Sequence, residues 1–113
     1  MKYSIIYAVI RPEISERVSL GLIFVDEKKI DIRYSQQKLD AVRGLFTPKK
    51  YEFLTKIISS MPADQNLNSE EAINYLTRYS NNLITVSPLQ RIDINSTEQN
   101  KTSLFRNYIY EMA

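Results

Sequence analysis

Residues 3–10, with the sequence YSIIYAVI, constrain the fold most, because they are apolar on both of their alternating sides. Successive side chains of a strand point to opposite faces, so a strand of this composition is buried on both. Pro12 ends it, since proline has no backbone N–H to donate to a neighbouring strand. We therefore predict a central strand in a β-sheet.

A second strand is predicted over residues 17–25, with Gly21 at its centre. On one face the first residues, Arg17, Ser19 and Gly21, are polar or small, and the residues that follow at positions 23 and 25 are apolar. The other face is predicted to be continuous and apolar, and it consists of Val18, Leu20, Leu22 and Phe24.

Alternating apolar residues after the turn DEKK predict a third strand that begins near residue 30. A turn of two or four residues places Phe24 opposite Asp31, and a turn of three or five places it opposite Ile32. A slip of one residue moves every side chain to the other face. We predict the pairing of Phe24 with Ile32, because it keeps one face of the hairpin apolar.

Cap residues and helical spacing predict about four helices after these strands. Thr47 followed by a proline is typical of a helix start. Asn68 with Glu71, and Asn95 with Glu98, form two capping boxes that predict the starts of later helices. The predicted helices cover about residues 39–46, 48–61, 69–79 and 96–111.

The order of these elements predicts an α+β fold, in which helices pack on an antiparallel sheet. Residues 83–87 and 89–94 are extended candidates that widen the N-terminal meander. We expect an antiparallel sheet of three to four strands with about four helices packed on one or both faces. A chain of 113 residues is predicted to be a single domain, 1–113.

The composition excludes several kinds of chemistry, because the chain has no cysteine and no histidine. Disulfides, thiolate metal sites and cysteine nucleophiles are excluded, and the commonest general base is absent. The remaining acidic residues match no calcium-binding spacing. We therefore expect no catalytic residue, no metal ligand and no cofactor, with a hard ion such as Mg²⁺, which needs only oxygen ligands, as the open alternative.

Positive charge is concentrated in the N-terminal half of the chain. Residues 1–60 contain 11 Lys and Arg against 7 Asp and Glu, whereas residues 61–113 contain 4 against 6. This imbalance leaves nucleic-acid binding as an alternative function, although nucleic-acid-binding domains are usually more basic. The N-terminal apolar run is too short to span a membrane and has no cleavage site, so we expect a cytoplasmic protein with no membrane partner.

Gly21 is the first candidate binding position. Glycine in a strand costs about 0.5–1 kcal/mol relative to alanine, so it usually marks a bulge or the close approach of a neighbour. One interpretation places a ligand's backbone or phosphate against this residue. The other, which we favour because the chain has several helices to pack, places one of the protein's own helices there.

Two arginines could complete a site beside this glycine. In the predicted register Arg17 and Arg33 share its face around a hollow at Ser19, where guanidinium groups could hold a phosphate or a carboxylate. The favoured alternative is that Arg33 pairs with Asp31, and Arg17 with a nearby glutamate, in ordinary surface ion pairs. The candidate binding residues are therefore Glu16, Arg17, Ser19, Gly21 and Arg33.

The first third of the chain resembles a family of small bacterial proteins, the domain of unknown function numbered 3037. The similar segments are Tyr3-Ser4, Arg11-Pro12 and the run from Glu16 to Phe24. Val18, Ser19, Leu20 and Gly21 match a Val/Asn/Val-like trio and its glycine. Ser19 stands where the family usually has Asn, and Ser15 stands where a Gly often precedes the Glu.

The resemblance implies a bacterial cytoplasmic protein with no known activity. Its gene is expected to lie beside genes for kinase-like proteins, which implies an accessory partner. Taken together, these features predict a non-catalytic protein-interaction module. Its partner is expected to be another protein, with a second copy of the chain and a kinase-like protein as candidates. A nucleic-acid-binding protein is the alternative, followed by a small enzyme that uses neither histidine nor cysteine.

Overall fold

The computed structural model describes residues 1–26, 29–60, 83–95 and 97–109, together with Glu71 and Arg78. The strands in this part of the chain are β1 (Lys2–Arg11), β2 (Glu16–Asp26), β3 (Lys29–Tyr34), β4 (Ile84–Val86) and β5 (Gln90–Arg91). The α-helices in the same part are α1 (Gln36–Ala41), α2 (Pro48–Ser60) and α3 (Glu98–Ile109). Two short 3₁₀ helices are Pro12–Ile14 and Val42–Leu45. The predicted α+β class with an antiparallel sheet is confirmed.

β1 is the central strand of the sheet, as predicted. It pairs with β2 along one edge and with both β4 and β5 along the other, and every pairing is antiparallel. The sheet has five strands rather than three to four, because two short strands form between residues 84 and 91. Pro88 lies between these strands, and a proline cannot donate a hydrogen bond to a sheet.

Each face of the sheet carries its own apolar core. We call the side against which α1 and α2 pack the α2 face, and the side against which α3 packs the α3 face. The buried core of the α2 face contains Ile6, Ala8, Leu20, Ile23, Val25, Leu39, Leu54, Ile57, Ile58 and Ile84. The buried core of the α3 face contains Tyr3, Leu22, Phe24, Leu104 and Ile109. Burial of one large apolar side chain contributes about 1.5–3 kcal/mol, so both cores stabilise the fold.

A β-bulge at Leu20 divides the apolar residues of β2 between the two faces. Ile6 pairs with Gly21 and Tyr7 pairs with Ser19, which leaves Leu20 as an extra residue without a partner on β1. Leu20 consequently joins the α2 face, whereas residues 22 and 24 lie on the α3 face. The prediction of one continuous apolar face along β2 is therefore wrong.

The predicted register of β3 is also wrong. Phe24 lies opposite Asp31, because Asp26 pairs with Lys29. The prediction assumed that a single face of the hairpin had to be apolar, but both faces are covered. Ile30 and Ile32 pack against the core of the α2 face, and Asp31 and Arg33 face α3, where they pair with Lys101 and Glu98.

The predicted helix starts agree only in part with the structure. Thr47 caps α2 as predicted, because its hydroxyl accepts a hydrogen bond from the backbone N–H of Lys50 at 3.3 Å. At α3 the cap is Thr97, whose hydroxyl accepts from the N–H of Asn100 at 3.2 Å. The predicted cap, Asn95, instead uses its backbone carbonyl to accept from the Asn100 side chain at 2.9 Å.

The other two predicted helices have different outcomes. The helix predicted over residues 39–46 is divided, since α1 ends at Ala41 and a 3₁₀ helix follows. The helix predicted over residues 69–79 lies outside the described residues except at Glu71 and Arg78, which are both helical. None of the described helices combines the length and apolar composition that crossing a membrane requires.

Candidate functional site

The five candidate binding residues do not form one site. The bulge at Leu20 places Arg17 and Ser19 on the α3 face of the sheet. Gly21 lies on the α2 face, because its strand partner is Ile6. Arg33 lies opposite Leu22, so it belongs to the α3 face as well. The predicted hollow with Gly21 between two arginines is therefore wrong, because the bulge and the register of β3 separate the glycine from all three side chains.

Gly21 is buried, and the backbone of β3 occupies the space beside it. A Cβ atom at this position would collide with the carbonyl oxygen of Arg33 and would lie 2.9 Å from the Cα of Tyr34. No side chain fits so close to the backbone of β3. The glycine thus permits the close approach of a neighbouring strand, which corrects the prediction that a helix packs against it.

Arg33 takes part in an ion-pair network that joins β3 to the start of α3. Its guanidinium donates to the Asp31 carboxylate at 2.8 and 2.9 Å and to the Glu98 carboxylate at 2.7 Å. Lys101 completes the network at 3.3 Å from Asp31. The pairing of Arg33 with Asp31 is confirmed, and this arginine is already neutralised by carboxylates of its own chain.

The network shifts the pKa values of Asp31, Glu98 and Arg33. Burial opposes ionisation of Asp31, but hydrogen bonds and charges from Arg33 and Lys101 outweigh it, so the pKa of Asp31 lies below its ordinary value. The hydrogen bond from Arg33 likewise lowers the pKa of Glu98. The bonds to Glu98 and Asp31 raise the pKa of Arg33 despite its partial burial. These three groups are therefore ionised at neutral pH, and their ion pairs attach α3 to the sheet.

Arg17 and Ser19 meet two residues, Tyr7 and Lys38, that were not predicted as site residues. The guanidinium carbon of Arg17 lies 4.1 Å from the centre of the Tyr7 ring, in a cation–π contact. Ser19 is the strand partner of Tyr7, and its hydroxyl accepts a hydrogen bond from the Lys38 ammonium at 2.8 Å. We call these four residues the Arg17–Lys38 cluster. The predicted pairing of Arg17 with a glutamate is wrong, since no ion pair of the described residues includes it.

Lys38 is the least solvated cation of this cluster. Its side chain is half-buried, and burial lowers the pKa of its ammonium group. Within the described part of the chain no carboxylate lies in ion-pair range of it, and its partner there is the neutral hydroxyl of Ser19. An ammonium group has three N–H donors, so this contact leaves capacity for an anion.

Glu16 lies apart from the cluster. It is exposed, it begins β2, and its strand partner is Arg11 at the far end of the β1–β2 hairpin. The adjoining Ser15 has a φ of 55°, so the hairpin turns through a left-handed residue at this point. The carboxylate of Glu16 is therefore a feature of the exposed hairpin end.

A second surface feature is a groove of about 560 Å³ along the outer side of α2. The groove is lined by three cations, one carboxylate, one hydroxyl and two apolar side chains, which are Lys49, Lys50, Lys56, Glu52, Thr47, Phe53 and Leu83. The Phe53 side chain is 39% exposed, which is unusual for an aromatic residue. Other residues of the same helix are buried in the core of the α2 face. We call this feature the lysine groove.

The lysine groove follows from the periodicity of α2. Residues 49, 53 and 56 are separated by four and three positions, so they share one side of the helix. The buried residues Leu54, Ile57 and Ile58 occupy the adjacent side of the helix. The groove was not predicted, because only the buried apolar residues were used to identify this helix. The exposed residues 49, 53 and 56 recur with the same helical spacing.

The described residues contain no group of three or more acidic side chains that could hold a metal ion. No family model matches the chain, and no curated protein and no solved structure matches it. The resemblance to the domain of unknown function numbered 3037 thus stays a prediction. What the chain can bind follows from the geometry of its own residues.

The close approach at Gly21 predicts a sharp difference between the two glycines of the chain. We expect Gly21→Ala to lower the free energy of unfolding by about 1–3 kcal/mol, because β3 must shift to admit a methyl group. Gly44→Ala is the matched control, since among the described residues no heavy atom beyond its chain neighbours and its own helix backbone lies within 4 Å of the position that a Cβ would take there. Urea unfolding followed by circular dichroism measures both, and equal stabilities of the two variants would contradict the packing described for Gly21.

The lowered pKa of Asp31 predicts a pH-dependent contribution to stability. A carboxyl group whose pKa is lower in the folded state stabilises the fold above its unfolded pKa of about 3.9 and loses that effect as the pH falls. We expect Asp31→Asn to destabilise the protein at pH 7 by about 1 kcal/mol or less, since the group is partly exposed. The difference from the wild type should shrink in acid.

Chemical unfolding at neutral and acidic pH measures this effect, with the exposed Asp93→Asn as the control. A destabilisation by Asp31→Asn that stays constant down to low pH would show that the loss arises from packing and not from the ion pairs.

Proposed function

We propose that this chain is a non-catalytic protein-interaction module whose docking surface is the lysine groove. The observation that carries the proposal is the position of Phe53, an exposed aromatic side chain flanked by three lysines on one side of α2. Aromatic side chains surrounded by polar residues are typical centres of protein interfaces. The lysines supply the charged rim, and Phe53 with Leu83 supplies the apolar centre.

The charge of α2 favours an acidic partner. The helix carries Lys49, Lys50 and Lys56 against a single acidic residue, Glu52. Complementary charge accelerates association and selects against wrong partners. Two copies of the chain would repel each other through this surface, so self-association by the lysine groove is disfavoured. The partner we propose is an acidic segment of a different protein with an apolar side chain for the groove.

The resemblance to the family numbered 3037 adds a candidate for that partner. It implies an accessory role beside a kinase-like protein in the bacterial cytoplasm, and a non-catalytic docking module fits such a role. Nucleic acid is the alternative ligand for a lysine-lined surface, since lysines also bind phosphates. The apolar residues in the groove favour a protein, because contacts to a phosphate backbone are dominated by charge.

Co-isolation from the native host separates these possibilities. A tagged wild-type chain is compared with the groove variant Lys49→Glu/Lys56→Glu. The control is Lys2→Glu/Arg91→Glu, which changes the net charge by the same amount at two residues that pair between β1 and β5. We expect a stoichiometric protein partner with the wild type and the control, and its loss with the groove variant. Circular dichroism confirms that both variants remain folded.

Two outcomes would contradict the proposal. The first is a partner that binds the groove variant as well as the wild type. The second is recovery of nucleic acid that nuclease removes and that dissociates steeply as salt increases, which would assign the lysine groove to the alternative function.

A further inference from the structure

We propose that the Arg17–Lys38 cluster binds the phosphate group of a small phosphate monoester. Three of its members, Tyr7, Arg17 and Ser19, lie on the α3 face of the sheet, and Lys38 of α1 reaches Ser19 with its ammonium group. The lysine groove lies on α2. The members of the cluster are Tyr7, Arg17, Ser19 and Lys38, of which two are cations, one is a hydroxyl and one is an aromatic ring.

The cluster presents several hydrogen-bond donors in one region. Arg17 and Ser19 are two positions apart on β2, so their side chains project from the same face about 6.5 Å apart at the backbone. Lys38 reaches the same region, because its ammonium donates to Ser19. The Ser19 hydroxyl accepts that bond and can still donate its own proton. In this proposal the guanidinium, the ammonium and the hydroxyl bind a single anion together.

Tyr7 orients the guanidinium of Arg17. The cation–π contact at 4.1 Å holds the charged group against the ring, which limits the freedom of an otherwise exposed side chain. Arginine binds phosphate through the N–H groups in the plane of the guanidinium. Contact with an aromatic face leaves these N–H groups accessible, so Tyr7 prepares Arg17 for a planar, two-point contact.

The electrostatics favour this cluster over Arg33. Arg33 is already paired with two carboxylates, so an anion would have to compete with both. Lys38 is half-buried beside a neutral hydroxyl, burial lowers the pKa of its ammonium group, and no ion pair among the described residues gives it a compensating negative charge. An anion placed here would supply that charge.

The number of charges indicates a phosphate monoester. A monoester carries a charge of about −1.5 to −2 at pH 7, which matches the two cations of the cluster. A phosphodiester carries a single charge and matches less well. Free phosphate and the phosphate of a nucleotide share this chemistry, so the experiment includes one of each.

The test is a titration of the ¹⁵N-labelled protein, followed by two-dimensional NMR at constant ionic strength. The ligands are inorganic phosphate, adenosine 5′-monophosphate and a dinucleoside phosphodiester. We expect saturable shifts at residues 17–19 and 38 with the first two, and weaker binding of the diester. Tighter binding of the nucleotide than of inorganic phosphate would identify a nucleotide as the source, and equal binding would identify free phosphate.

Variants assign the binding to the cluster. Lys38→Met retains the side-chain length without the charge, and Arg17→Gln removes the guanidinium. Each is expected to weaken binding about tenfold or more, because each removes a charge-assisted hydrogen bond. The control is Lys2→Met, which removes an exposed lysine at the start of β1 and is expected to bind as the wild type does. The spectrum of each variant shows directly whether it is folded.

The proposal is overturned if no ligand gives saturable shifts at these residues, or if Lys38→Met and Arg17→Gln bind as tightly as Lys2→Met. Tightest binding of the phosphodiester would also overturn it and would favour nucleic acid. These results are independent of the lysine groove, since none of the variants alters a residue that lines it.

Discussion

The structure depends on the burial of β1 on both of its faces. A strand with apolar residues on alternating sides cannot leave either side in water, so helices must cover the sheet twice. The chain meets this requirement with α1 and α2 on one face and α3 on the other, and each face has a separate buried core. The bulge, the register of β3 and the ion-pair network all follow from this arrangement.

The position of Leu20 illustrates how one local irregularity organises the rest. The bulge transfers Leu20 to the α2 face, while Leu22 and Phe24 remain with α3. Without it, the alternation along β2 would place Arg17 and Ser19 on the side of Gly21, in the core of the α2 face. The bulge instead leaves them on the α3 face beside Tyr7 and within reach of Lys38.

The sequence was sufficient to predict the central strand, the antiparallel α+β fold and the cap of α2, because each depends on local composition. It was insufficient for the bulge and for the register of β3, because both depend on covering two faces at once. The pairing of Arg33 with Asp31 joins residues two positions apart and was predictable, whereas Glu98 joins that network only through the tertiary packing of α3. Lys38 and Phe53 were missed because a search for motifs gives no weight to single exposed or half-buried side chains.

Methyl–methyl nuclear Overhauser effects test the two-sided sheet most directly. In protein with labelled Leu and Ile methyl groups, we expect contacts from Leu20 and Ile32 to the residues of the α2 face, and from Leu22 to Leu104 and Ile109 of α3. Contacts from both Leu20 and Leu22 to α3 would contradict the account, because they would remove the bulge and return β2 to a single apolar face.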